Sequence, residues 1–295
     1  MAGAGTLDVA DGETLTLNGQ ISGTGAFTSA NSGTIVLGGS NSYTEGTTIT
    51  GSGTVSVSDS DGLGNSSGGL TLNSGTLAST AGYSDSRTVL MSGAGTMDVA
   101  SGQSVTMSGV VSGSGALTKT SAGTLALTGT NTYSGGTTIS GGTVAAASSS
   151  SLGNSSGDLT FNGGTLSTAA SFRDSRNVVM TGAGTIDASS DTLTLSGVIS
   201  GSGTLTASGG TIDLTGTNTY TGGTNITGAF VSANSAASLG DSSGALAMTG
   251  GGLNASSSFT DSRLVSLTGN REISVDGSQT LTLSGVVSGT GNIQK

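Results

Sequence analysis

A sequence pattern of short strands and glycine-rich corners occurs three times in this chain, and this repetition limits the folds that the chain can adopt. The central copy, residues 113–144, reads GSGALTKTSAGTLALTGTNTYSGGTTISGGTV. Within it, apolar residues alternate with Thr or Ser, a period of two that is typical of half-buried strands. Related sequences occur at residues 23–49 and 201–226. The chain is therefore predicted to be a repeat protein.

The pattern recurs with a long period of close to 88 residues. Asn-x-Tyr motifs are separated by 90 and 87 residues, and Asp-Ser-Arg triplets by 89 and 87. A unit of this size should contain three to four coils of roughly 22 to 29 residues, as in other solenoid proteins. We therefore expect long repeats at approximately residues 3–92, 93–181 and 182–268, followed by a partial repeat at 269–295.

The alternation also predicts which side chains face the interior. In the run from Thr124 to Leu127, pleating directs Leu inward and Thr or Ala outward. The same assignment places eight leucines inside, namely Leu15, Leu17, Leu125, Leu127, Leu193, Leu195, Leu281 and Leu283. A thin interior suits a chain with 55 Gly and no Trp. The predicted fold is all-β, with residues 1–295 forming one continuous parallel β-solenoid of about eleven to fourteen coils.

The pattern also resembles a known family. Read from Gly113 to Thr143, it is G-x-G-x-L-x-K-x-x-x-G-T-L-x-L-x-G-x-N-x-Y-x-G-G-T-x-I-x-G-G-T. It is similar to the passenger-associated transport repeat, also called the autotransporter-associated β-strand repeat, of bacterial type V secreted proteins. The resemblance implies a right-handed parallel β-helix. Only the central copy keeps the Lys, as Lys119, whereas Ser29 and Ala207 occupy that position in the other copies.

Chemistry-bearing residues are sparse in this chain. β-Helix enzymes that cleave glycans need clustered carboxylates, but the 17 acidic residues here are spread thinly over the repeats, and His and Cys are absent. The calcium-binding nonapeptide is not repeated either. We expect no catalytic, cofactor or metal site and no binding to nucleic acid. The longest apolar run has four residues, so we also expect no membrane insertion by this segment.

The most conspicuous charged feature is the recurrent Asp-x-Arg motif. The guanidinium groups could form an array that contacts carbohydrates or anions, since Arg offers a planar fork to carboxylate or sulfate. The favoured interpretation is a structural corner in which Asp bonds its local backbone, Arg folds over an adjacent coil, and the charges pair weakly at the surface. The motif residues are Asp85 and Arg87, Asp174 and Arg176, and Asp261 and Arg263.

The Asn-x-Tyr motif allows a similar choice. Asn at a corner can adopt left-handed geometry and satisfy backbone groups, while Tyr covers the bend. The alternative is that the Tyr rings stack on sugars. We favour the structural interpretation for all six residues, namely Asn41, Tyr43, Asn131, Tyr133, Asn218 and Tyr220.

These features predict a non-enzymatic passenger segment of an exported, surface-exposed bacterial protein. Such a segment would serve as a rigid stalk and an adhesive or self-associating surface, and its coils would fold one upon another during export. We expect self-association or contact with neighbouring repeats, with host or matrix glycans as a second partner. The alternatives are an ice-binding Thr-rich solenoid and a glycan-active enzyme. Because the repeat pattern is cut at both ends, we expect the chain to be part of a longer protein.

Overall fold

A computed structural model describes the backbone of residues 1–295 and every side chain except that of Asn31. Within these residues the chain forms 36 β-strands and three short 3-10 helices, and no α-helix. It winds through about 14 coils, so the all-β, parallel solenoid prediction is confirmed. Two compact units are distinguished: unit 1 comprises Met1–Ala145 and Ser150–Gly157, and unit 2 comprises Ala146–Ser149 and Asp158–Lys295.

The first part of the chain contains seventeen strands and two 3-10 helices, and β17 and η2 contain residues of both units. The elements are β1 Gly5–Val9, β2 Thr14–Leu17, β3 Phe27–Asn31, β4 Thr34–Leu37, β5 Thr47–Thr50, β6 Thr54–Val57, η1 Ser60–Leu63, β7 Leu70–Asn73, β8 Thr76–Ser79, β9 Tyr83–Asp85, β10 Val89–Met91, β11 Gly95–Val99, β12 Ser104–Met107, β13 Val111–Gly113, β14 Leu117–Thr120, β15 Thr124–Leu127, β16 Thr137–Ile139, β17 Thr143–Ala146 and η2 Ser149–Leu152.

The remaining elements lie in unit 2. They are β18 Leu159–Phe161, β19 Thr165–Thr168, β20 Phe172–Asp174, β21 Val178–Met180, β22 Gly184–Asp187, β23 Thr192–Leu195, β24 Ile199–Gly201, β25 Leu205–Ser208, β26 Thr211–Leu214, β27 Thr224–Ile226, β28 Phe230–Ala233, η3 Ala236–Leu239, β29 Leu246–Met248, β30 Gly252–Ala255, β31 Phe259–Asp261, β32 Val265–Leu267, β33 Arg271–Val275, β34 Leu281–Leu283, β35 Val287–Gly289 and β36 Ile293–Gln294.

In unit 1 each strand pairs in parallel with strands of neighbouring coils. One sheet has the order β1-β3-β5-β7-β10-β13, a second runs β2-β4-β6-β8-β11-β14-β16, and a third contains β9, β12 and β15. Register partners are 20 residues apart between Thr14 and Thr34, and 22 apart between Thr54 and Thr76. The long period therefore corresponds to about four coils. The predicted coil length of roughly 22 to 29 residues was too long, because the corners between strands are shorter than the glycine-rich segments of the sequence suggested.

Unit 2 is built in the same way. Its sheets run β18-β21-β24, β19-β22-β25-β27-β29-β32-β35 and β20-β23-β26-β28-β30-β33-β36, and β31 pairs with β34. The strand pairs are parallel here too, as between β25 and β27. The handedness of the coils and the boundaries of the long repeats stay predictions, as does the continuity of one solenoid over residues 1–295.

Alternation of burial along the strands confirms how the interior is formed. In β15 the leucines are buried and the intervening residues half-buried, and β23 likewise buries its two leucines. The prediction is thus confirmed for Leu125, Leu127, Leu193 and Leu195, at 2% exposure or less. It was wrong for Leu15, Leu17, Leu281 and Leu283, which are only half-buried. Their strands, β2 and β34, each pair with one strand only, so neighbouring side chains cover them on one side.

Candidate functional site

The Asp-x-Arg motifs are buried ion pairs. Arg Nε lies 2.5 Å from Asp Oδ2 in the pair of Arg87 with Asp85, and 2.6 Å away in the other two pairs. All six side chains are at most 2% exposed. The predicted weak pairing at the surface was therefore wrong, and so was the alternative of an accessible array of guanidinium groups.

Burial of the first pair is possible because every polar group in it has a partner. Asp85 Oδ1 accepts the backbone N–H of Arg87 at 3.0 Å, the predicted bond between Asp and its local backbone. Arg87 Nη1 donates to the carbonyl of Leu63 at 2.8 Å, and Nη2 donates to that of Ser60 at 2.7 Å. Both carbonyls belong to η1, on the preceding coil. Arg87 therefore fastens its own coil to a helical turn of the coil before it.

The same arrangement recurs in unit 2. Arg263 Nη1 and Nη2 donate to the carbonyls of Leu239 and Ala236, both at 2.6 Å and both in η3. Arg176 Nη2 donates to the carbonyl of Ser149 at 2.7 Å. The planar fork of each Arg is thus directed at backbone carbonyls of the protein, where it cannot contact an external ligand.

Each Asn of the Asn-x-Tyr motif bridges two coils. Asn41 Oδ1 accepts the N–H of Ile21 at 2.7 Å, and its Nδ2 donates to the carbonyl of Gly62 at 2.7 Å. Asn131 and Asn218 make equivalent pairs of bonds at 2.6 to 2.8 Å. The expected role in satisfying backbone groups is confirmed. The expected left-handed geometry was wrong, because the non-glycine residues with positive φ are Ser74, Ser121 and Ser189.

The Tyr residues are fully buried, which leaves no ring face for a sugar. Tyr43 Oη lies 2.6 Å from Thr47 Oγ1, and that hydroxyl donates to the carbonyl of Leu63 at 3.0 Å. Since Arg87 donates to the same carbonyl, the two motifs meet there. In unit 2, Thr224 and Arg263 share the carbonyl of Leu239 in the same way. Our sequence analysis missed the Thr, although it follows Tyr by four residues in all three copies, at Thr47, Thr137 and Thr224.

Lys119 points into the interior of unit 1, where it is 0% exposed. Its Nζ donates to the carbonyls of Thr120 and Ser121, the latter at 3.0 Å. Desolvation lowers the pKa of Lys119 to about 8, although the nearby carboxylate of Asp98 opposes that change. Ser29 and Ala207, at the equivalent positions, are also buried.

A row of outward threonines runs along the second sheet of unit 1. One Thr from each of seven neighbouring strands lies in register with the next. We call this set the threonine row, and it consists of Thr14, Thr34, Thr54, Thr76, Thr96, Thr118 and Thr138. Neighbouring strands of a sheet lie ~4.8 Å apart, so the row is a regular ladder of hydroxyl and methyl groups. Sequence analysis missed it, because successive members of the row are separated by either 20 or 22 residues and the row emerges only from the register.

No site for a metal or for acid–base catalysis stands out. Among the described side chains, no group of three or more His, Cys, Asp or Glu is placed to hold a metal ion. The three main pockets are small, about 230 to 250 Å³, and only one of them has a carboxylate in its lining, that of Asp241. Within the described residues there is also no helix with the length and apolar character needed to cross a bilayer.

Comparisons with known proteins give two matches. The family described as the passenger-associated transport repeat matches residues 27–57, 117–146 and 207–231. A protein named adhesin BmaC autotransporter, from Brucella suis biovar 1 (strain 1330), is 49% identical over 81 residues. That alignment covers 27% of this chain and 2% of the relative, so the chain corresponds to a small part of that protein's length. No solved structure matches the chain.

Proposed function

We propose that the chain, which carries three segments matching the passenger-associated transport repeat, is a non-enzymatic segment of an autotransporter passenger, displayed outside a bacterial cell as a spacer and an adhesive surface. The family and the fold support the passenger assignment. The relative is named an adhesin, which supports adhesion and a location on the cell surface or in the medium.

The role as a stiff spacer is supported by the buried polar bonds within each unit. Asn41 joins backbone groups of the coils on both sides of its own, 20 and 21 residues away in sequence. Arg87 adds bonds to η1, 24 and 27 residues away. Bending the stack at these coils would break hydrogen bonds that are buried or partly buried, and buried groups left without partners are costly. Each unit should therefore resist local bending.

Support for folding during export comes from the same contacts. The chain has no Cys and no Pro, so neither disulfide formation nor slow prolyl isomerisation would delay it. In solenoids each coil contacts mainly its neighbours, and folding can propagate from one coil to the next. The Nη groups of each Arg reach their carbonyl partners only when its coil packs on the 3-10 helix of the preceding coil. We infer that these pairs lock the chain at regular intervals as coils accumulate.

The threonine row is the observation that carries the adhesive role. It presents the same hydroxyl and methyl groups at a constant spacing, which suits many weak contacts with another regular surface. A second copy of the chain offers such a surface, and glycans are the second partner that we propose. Affinity per residue would be low, so attachment would depend on the number of contacts made together.

Cells displaying one, two or three long repeats test this proposal. The matched segments are residues 3–92, 3–181 and 3–268, expressed at equal surface density. Clumping and attachment should rise steeply with the number of repeats, because multivalent contact amplifies weak affinities. A response that is flat with repeat number would remove the adhesive role and leave the spacer role.

Ice binding is the second candidate, and the threonine row is the observation that favours it. Ice-binding surfaces need hydroxyl and methyl groups in register, which the row supplies over seven strands. The outward residues two positions further along are mixed, however, and include Val36 and Asp98. A thermal hysteresis assay on the intact chain decides between the two. We expect no hysteresis beyond that of a control protein.

A further inference from the structure

Arg173 departs from the repeat at a position where the other copies have small hydroxyl residues. The residue between the aromatic side chain and the Asp of the Asp-x-Arg motif is Ser84 in the first copy, Arg173 in the second and Thr260 in the third. The scaffold is completed in the other copies without an Arg, so folding does not require one here. Arg173 is exposed, whereas four of the seven basic side chains of the chain are buried, namely Arg87, Lys119, Arg176 and Arg263.

Arg173 lies beside a small pocket at the end of a sheet in unit 2. Its strand, β20, is the first of its sheet, and Arg173 is in register with Thr194 on β23. The pocket has a volume of about 250 Å³, and its walls are formed by Ser171, Phe172, Arg173, Thr192 and Thr194. Phe172 is half-buried and lies in register with the buried Leu193, so its ring is on the opposite face of β20 from the side chain of Arg173.

Hydrogen bonds hold the polar walls of this pocket in place. Thr194 is only 4% exposed, and its Oγ1 donates to Asp213 Oδ2 at 3.2 Å. Ser171 Oγ donates to Asp191 Oδ1 at 3.3 Å and accepts the backbone N–H of Thr192 at 2.9 Å. The guanidinium of Arg173, by contrast, forms no salt bridge within the described residues. The pocket thus combines fixed hydroxyl groups with one cation that has no anionic partner.

We propose that this pocket binds a carboxylated monosaccharide, such as a hexuronic acid within an acidic glycan. A guanidinium can donate two parallel hydrogen bonds to one carboxylate. The side chains of Ser171 and Thr192 offer hydroxyl partners for the hydroxyl groups of the sugar. Pockets for drug-sized ligands occupy about 300–1,000 Å³, so this smaller one is suited to a single sugar unit.

The acidic groups around the pocket narrow the choice of ligand. Asp191 and Asp213 lie beside the hydroxyls of Ser171 and Thr194 and would repel a second anionic group. A densely sulfated polymer is therefore disfavoured, whereas a sugar with one carboxylate and several hydroxyls can use both the cation and the acceptors. This assignment rests on the proposed glycan contact of the passenger segment and specifies its chemistry and its place.

Binding of the intact chain to two matched probes tests the assignment. The probes are an oligosaccharide with a terminal hexuronic acid and the same oligosaccharide with the neutral hexose, titrated at low and at physiological salt. We expect the acidic probe to bind at least about tenfold more tightly, and Arg173→Ser to remove that difference, because one charge-assisted pair is lost. Arg173→Lys should keep only part of it, since Lys cannot form the bidentate pair.

The chain offers matched controls for fold and for charge. Arg173→Ser restores the residue type of the first copy, so its thermal midpoint should equal that of the unaltered chain. Arg271→Ser removes a half-buried cation that does not line the pocket and should leave binding unchanged. Equal binding of the acidic and neutral probes, no binding of either, or an Arg173→Ser variant that still prefers the acidic probe would each overturn the assignment.

The outcome can be separated from that of the proposed function. If cells that display the chain adhere to one another but the Arg173→Ser variant binds the acidic probe unchanged, the pocket assignment fails and adhesion stands. If the purified chain binds the acidic probe through Arg173 but displayed repeats do not adhere, the pocket assignment stands and the adhesive role fails.

Discussion

Single buried charges in this protein are held mainly by backbone carbonyls, but their contributions to stability differ in sign. The guanidinium of Arg87 has a carboxylate partner as well as carbonyls. The ammonium of Lys119 has carbonyl partners and only a weak favourable effect from Asp98. A buried charge without a close counter-ion disfavours the folded state, whereas breaking a buried pair exposes the cost of the charge left behind. Removing the two cations should therefore have opposite effects.

The substitution Lys119→Met should stabilise unit 1 at neutral pH. Met keeps an unbranched apolar stem of similar length beside Met97 and Ile139, the register neighbours of Lys119. Each pKa unit corresponds to 1.36 kcal/mol, so the gain is at most about 3 kcal/mol. Denaturation in urea at pH 7 measures it.

The pH dependence of this gain checks its cause. Below pH 8 both the folded and the unfolded states of the unaltered chain hold the proton, so the destabilisation is complete. Between about pH 8 and 10.5 the folded state releases its proton first, and the stability of the unaltered chain rises relative to the variant. The difference between the two proteins should therefore shrink at pH 9.5. If it stays constant, charge burial is not its cause.

Removing Arg87 should have the reverse effect. Arg87→Met leaves Asp85 Oδ2 and the carbonyl of Ser60 without the partner that Arg87 supplies, and breaking a buried pair costs about 3–5 kcal/mol. Replacing both members of the pair with apolar residues should be less damaging than Arg87→Met alone, because no charge remains buried. Arg271→Met, at a more exposed site, should change the free energy of unfolding by less than about 0.5 kcal/mol. A single variant as stable as the double variant would contradict this account.

The roles of these residues were only partly predictable from sequence. The bond from Asp to its local backbone and the backbone role of Asn followed from known corner chemistry. The burial of the Asp and Arg side chains was not predicted, because charged residues are rarely inside proteins unless they are paired. The alternation of inward and outward positions nevertheless indicates that these side chains point inward. Tyr83, Asp85 and Arg87 follow one another at intervals of two residues, and an extended chain directs such residues to the same face.

At the scale of strands and coils, a narrow apolar interior holds each unit together. Leu127 is fully buried in β15, and the next residue, Thr128, is exposed. Leu127→Asp would place an unpaired carboxylate inside the coil and should cost several kcal/mol. Thr128→Asp should change stability by about 0.5 kcal/mol or less. Circular dichroism during thermal denaturation compares the two variants, and equal midpoints would refute the assignment of the interior.

Strand positions were more predictable than the arrangement of coils. Period-two alternation fixed the facing of Leu125 and Leu127, because pleating leaves no other choice once one face is apolar. Coil lengths were overestimated, since glycine-rich corners do not reveal where one coil ends. The threonine row was missed for the same reason. Thr76 follows Thr54 by 22 residues, but Thr96 follows Thr76 by 20, so no single period in the sequence marks the row.

At the scale of the whole molecule, the surface is strongly acidic. The chain has 17 acidic and seven basic residues. The three buried pairs and Lys119 contain three of the acidic residues and four of the basic residues. Fourteen acidic residues and three basic residues therefore remain outside the interior. Like-charged surfaces repel at low salt and are screened within about 8 Å at physiological ionic strength. Self-association should thus strengthen as salt is raised from 10 mM to about 150 mM, as light scattering of the purified chain can show.

The family and the solenoid fold were predictable at this scale because the repeat is long, specific and written three times. Partners were not, since contact surfaces depend on which outward residues the register brings together. The role of a single residue that differs from the repeat pattern, such as Arg173, also cannot be inferred until its neighbours on other coils are known.

Clumping of cells that display the intact chain tests the adhesive role most directly when the threonine row alone is altered. The test variant carries Thr54→Glu, Thr76→Glu and Thr96→Glu, and its matched control carries Ser86→Glu, Ser175→Glu and Ser262→Glu. The control residues are exposed hydroxyl residues that lie one long repeat apart, so they add the same charge without altering a row on neighbouring strands. At equal display and 150 mM salt, we predict that the test variant loses most of its clumping and the control keeps it. Equal clumping of the two variants would contradict the account.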